Sequence, residues 1–88
     1  LLITPLPALT AVDTDAPDPR AANRHAIPEF ARQLVLRDLA GPVVLDLAGL
    51  SAKQRQALEP ALRAALAADP LSQPLGFGPL GLFELRRA

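Results

Sequence analysis

Three aspartates stand where an apolar strand would be expected to end. Asp13 follows the run ALTAV, Asp15 lies two residues further on, and Asp46 follows PVVL. A carboxylate at the end of a buried strand is costly without a partner, so such a group signals a cation, an arginine or solvent. Oxygen donors of this kind suit a hard divalent ion, magnesium or manganese. The chain has one histidine, His25, and no cysteine, so a thiolate zinc site, a disulfide framework and a thiol–histidine nucleophile are all excluded. The alternative for the same acids is structural: aspartate at a strand end is a common turn-former or cap of the next helix.

The elements that must position these groups are set by ten prolines in 88 residues. LLIT is a strand stopped by Pro5 and Pro7, ALTAVD is a second strand, and DAPDP at 15–19 is a loop in which Asp15 and Asp18 are solvated. Ile27, Phe30, Ala31, Leu34 and Val35 recur at helical spacing and predict an amphipathic helix from Ala26 to Leu39, with Pro28 in its first turn. Val43 to Leu47 is a buried strand. Ser51 opens a second helix, with Gln54 completing a capping box. Its stripe is Leu58, Ala61, Leu62, Ala65 and Leu66, and Asp69-Pro70 stops it. PLGF and GLFELRR close the chain as a hairpin turning around Gly78-Pro79. The expected fold class is therefore α/β: a single domain, residues 1–88, in the order β-β-α-β-α-β-β, with a mixed sheet and two helices. A strand–helix–strand crossover makes the strands carrying Asp13 and Asp46 parallel, so both acids emerge at carboxyl ends, where open α/β sheets place their ligands.

Other features carry less. Nine basic and nine acidic residues cancel, which removes the overall charge that nucleic-acid and anionic-membrane binders carry. No segment is apolar enough to span a bilayer, and the absence of cysteine favours a reducing, cytoplasmic compartment. The glycines of GFGPLG form no phosphate-binding signature, and three phenylalanines are too few for a base-stacking platform. His25 reads as a surface residue near a helix start, and Arg86 and Arg87 as a solvated strand end. The chain opens on LLIT without a methionine, as a part of something longer would.

Read in order, ALTAVDTD, the segment from Asn23 to Gly41 with Ala31-Arg32-Gln33-Leu34 and Leu36-Arg37-Asp38-Leu39, then VVLDL, then Leu80-Gly81-Leu82 with Glu84, resemble the ribonuclease E/G family of endoribonucleases. The resemblance implies a DNase I-like part of the catalytic domain, in which two aspartates hold magnesium for hydrolysis of single-stranded RNA. By position these are Asp13 and Asp46, and Asp15 falls on the family's asparagine as a third candidate donor. Ala16 and Pro17 stand where the family has serine and arginine, Leu47 replaces an aromatic residue, and Gly49 replaces a second acid. The resemblance further implies single-stranded RNA and other domains of the same protein as partners, leaves room for a homo-oligomer, and leaves substrate grip to an S1-type domain and basic surfaces elsewhere. The chain by itself is then expected to be inactive. Two other readings remain: a catalytically decayed homologue serving as an RNA-binding or assembly module, and a small regulatory α/β domain in which the acids are caps.

Overall fold

The computed structural model describes residues 2–5, 10–15 and 18–88, leaving aside the side chains of Pro5, Val12 to Asp15 and Ala48. Five strands form one mixed sheet in the order β1-β2-β3-β5-β4. They are β1 (Leu2–Pro5), β2 (Thr10–Asp15), β3 (Gly41–Ala48), β4 (Ser72–Phe77) and β5 (Phe83–Arg87). β2 and β3 run parallel, and the other three pairings are antiparallel. The expected element order and the mixed sheet are both present.

The first helical stretch begins at Pro19, seven residues before the expected Ala26. It comprises α1 (Pro19–Ala21), a π-helical turn (Ala22–Ala26) and α2 (Ile27–Leu36). Asp18 is its N-cap, its carboxylate accepting from the Ala21 amide at 2.8 Å, so this exposed acid also caps a helix. Asp15 belongs to β2 and not to the loop. In the wide turn the Ile27 amide donates to the Ala22 carbonyl. The next residue, Pro28, has no amide to donate, so the ladder is interrupted there in any case.

The second stretch is broken where a single helix was expected. α3 (Ala52–Ala57) ends at Leu58 and α4 (Glu59–Leu66) restarts with Pro60 in its first turn. A proline ring at 60 would meet the carbonyl of Gln56 in an unbroken helix. The capping box at Ser51 forms as expected: the Gln54 amide donates to Ser51 Oγ at 3.2 Å and the Ser51 amide to Gln54 Oε1 at 3.0 Å.

Both helical stretches cover one face of the sheet. Phe30, Leu34, Leu62 and Leu66 pack with Val43, Leu45, Leu47, Phe83 and Leu85 in a single core. Alternation along β5 is strict, with Phe83, Leu85 and Arg87 buried and Glu84 and Arg86 exposed.

Arg87 overturns the expectation of a solvated strand end, for it is 3% exposed. Its guanidinium donates to Asp69 Oδ2 at 2.7 Å, Asp38 Oδ1 at 2.9 Å and the Leu39 carbonyl at 3.2 Å. Asp38 ends α2 with φ 46°, and the Leu39 amide reaches back to the Leu34 carbonyl while Asp38 bonds to that of Val35. This is the reciprocal closure usually built on glycine. Asp69 follows α4 and also accepts from Ser72 Oγ at 2.8 Å.

Replacing Arg87 by Met keeps the apolar stem but strands the Asp69 carboxylate, which is 11% exposed. We expect a loss of about 3 kcal/mol, seen in thermal melts as a fall in Tm of more than about 10 °C. The Arg87 hydrogen bond is the main influence holding the Asp69 carboxyl below the usual carboxylate range, against desolvation and with help from Ser72 and the Leu71 amide. A folded value below that of the unfolded chain, near 3.9, gives stability that is complete above the unfolded value and drains as pH falls through the folded one. Melts of the wild type are expected to lose stability below about pH 4 more steeply than those of Asp69→Asn.

Candidate functional site

β3 carries Asp46 between two buried leucines. Leu45 and Leu47 point into the core while Asp46 is exposed, which puts it on the sheet face opposite the helices. Period-two alternation gives that face Pro42 and Val44 from β3 and Glu84 and Arg86 from β5.

The parallel register joins this residue to the other acid. Asp13 is the register partner of Asp46, Val12 of Leu45 and Asp15 of Ala48. Neighbouring strands lie about 4.8 Å apart. Both aspartates fall two positions before the ends of their strands, a little inside the carboxyl termini expected from sequence. On the other side of β2, Leu2 is the partner of Asp13. The side chains of Asp13 and Asp15 lie outside the described residues, and among those described no cluster of three metal-ligating groups occurs.

The capping explanation does not fit these positions. Asp13 and Asp46 are strand residues, and the helices that follow are capped by Asp18 and Ser51. Asp46 makes no side-chain hydrogen bond to another described residue. His25 sits exposed on the π-helical turn, near the helix start as expected.

Glu84 was not singled out by its chemistry, although its place in the GLFE segment was noticed. It is the register partner of Val44, and its carboxylate lies against Gly78, where an added Cβ would meet Oε2. Arg55 was missed altogether. It projects from α3 over the β4–β5 turn, donating to the Leu50 carbonyl, with its guanidinium within 2.7 Å of where a Cβ on Gly81 would lie. Its spacing in the sequence carries no signal of this placement.

A mixed five-stranded sheet with helices on one face and Asp46 exposed on the other defines a small α/β domain. The family described as Ribonuclease E/G family matches residues 2–88, and the chain belongs to it. Among curated proteins none matches the chain. Among the described residues no helix is long and apolar enough to cross a membrane.

An exposed strand aspartate with no side-chain hydrogen bond to another described residue is expendable for folding. Asp46→Asn is expected to move the urea midpoint by no more than about 0.5 kcal/mol in stability, measured by equilibrium denaturation. A larger loss would assign the residue a structural role.

Proposed function

We propose that this chain is the metal-holding part of a magnesium-dependent endoribonuclease that hydrolyses phosphodiester bonds in single-stranded RNA. Family membership supports the ribonuclease chemistry. The observation that carries the assignment to residues is the β2–β3 register, which pairs Asp13 with Asp46 on adjacent parallel strands.

The donor set suits the ion. Magnesium binds through one or two carboxylates, retains several waters and takes substrate phosphate oxygens as further ligands. Manganese accepts the same oxygen donors. Asp13 and Asp46 would hold the ion, and Asp15, whose place along β2 differs from that of Asp13 by one full alternation, is the nearest additional oxygen donor. When bound, the ion lowers the pKa of a coordinated water and stabilises charge developing on the phosphoryl group.

The chain's own residues contribute position and access. Leu45 and Leu47 lock β3 into the core on either side of Asp46, so its carboxylate is presented from a rigid strand and not from a loop. The exposed face leaves room for an extended strand of RNA. Formal net charge is zero, so most of the electrostatic grip on RNA belongs to other parts of the protein. We place the chain in a DNase I-like arrangement within a larger catalytic domain, working in the cytoplasm beside those other parts.

Manganese titration followed by NMR tests this directly. Paramagnetic broadening is expected to centre on amides 13–15 and 46–48 and to vanish in both Asp13→Ala and Asp46→Ala. Retained binding in either variant, or no broadening there, would remove the metal site and leave a decayed homologue acting as an RNA-binding or assembly module.

A further inference from the structure

A cleft of about 340 Å³ opens between α3 and the β4–β5 turn. Arg55, Gln56 and Phe77 line it, together with the turn residues 78–81. The turn is held closed by two backbone bonds, Gly78 amide to Leu82 carbonyl at 2.9 Å and Gly81 amide to Gly78 carbonyl at 3.0 Å. Gly81, at φ 79°, has no side chain, and a Cβ there would collide with the Arg55 guanidinium. The wall of the cleft is therefore shaped to seat that group.

Its chemistry is specific. Arg55 makes one hydrogen bond to another described residue, to the Leu50 carbonyl through Nη1. That bond fixes the planar fork and leaves its other donors for a ligand, and a guanidinium fork matches the oxygen pairs of phosphate. Phe77 is half-buried, its ring braced edge-on against Phe83 with centroids 5.3 Å apart. Gln56 is exposed at the rim and offers an amide, which both donates and accepts. A cation, an anchored aromatic ring and an amide in one cleft are the groups that recognise an unpaired nucleotide.

Placement relates the cleft to the aspartates. β5 enters the sheet at Phe83, the register partner of Leu45, the residue before Asp46. Phe77 is the register partner of Phe83 and shares its helix-covered face, so the cleft lies at that end of the sheet on the side opposite Asp46. We propose that this cleft is a subsite for a nucleotide of single-stranded RNA, with Arg55 on its phosphate, Phe77 against its base and Gln56 on the base edge. The proposal rests on the nuclease reading for the identity of its ligand, but its binding requires no metal.

A short 2′-O-methyl RNA oligonucleotide, which resists hydrolysis, is titrated into the chain in EDTA and followed by NMR. Shifts are expected at Arg55, Gln56 and residues 77–81. Arg55→Gln should weaken binding about tenfold and reduce the slope of log K against log salt by about 0.7. Gln56→Glu, at an exposed position that leaves the core untouched, should weaken it in the same direction through charge repulsion. Unchanged affinity in both variants, or shifts confined to other surfaces, would overturn the subsite. Manganese broadening at residues 13–15 and 46–48, read separately without RNA, reports on the nuclease assignment, so either can fail alone.

Discussion

One guanidinium joins the ends of both helical stretches to the sheet. Arg87 reaches Asp38 and Leu39 after α2 and Asp69 after α4, so the two crossovers that lead into β3 and β4 finish on a single buried cation. A positive charge at that place also complements the partial negative charge at helix C-termini. The two partners differ in worth. Asp69 is largely buried and bonded to the Nε side, whereas the Asp38 side chain is 85% exposed, and an exposed ion pair contributes little by itself. Asp38 matters more for its left-handed backbone, which closes α2 and turns the chain toward β3.

With the helices fixed on one side, the other side of the sheet is free to carry chemistry. The core needs only alternate residues of β3 and β5. The intervening positions can therefore be polar without cost to packing, and Asp46, Glu84 and Arg86 occupy them. An acid in the midst of an apolar strand is thus no contradiction: Val43, Leu45 and Leu47 serve the fold, and Asp46 stands on the face they leave. The outer edge at β4 is blunted by Pro74 and by a register shift between Pro74 and Gly76, devices that discourage added strands on that side.

Much of this was legible in sequence where one residue determines one local outcome. Ser51 and Gln54 announced their capping box, Gly78-Pro79 their turn, and the strand–helix–strand order the parallel neighbours bearing Asp13 and Asp46. Failures came where two local rules competed. Pro28 does sit in the first turn of α2, but the π-helical turn and short helix that precede it back to Pro19 went unread. Pro60 was overlooked inside a strong apolar stripe, which continues across the break because Leu58, Leu62 and Leu66 still face the core. Arg87 could not be placed from sequence, since its partners lie 18 and 49 residues away.

The strand order has a consequence for how the molecule is assembled. β5, the last strand to be synthesised of the five, is not at an edge but lies between β3 and β4. Until it emerges from the ribosome, β3 has no partner on that side, β4 has none toward the centre, and both crossovers lack the cation that ends them. A nascent chain halted before Phe83 therefore holds only the β1-β2-β3 portion of the sheet, with leucines meant for the interior exposed to solvent. Long-range closure of this kind is paid in loop entropy before any contact rewards it. Closure of the sheet therefore waits for β5, and removal of Phe83–Arg87 takes a strand from its interior and not from its edge.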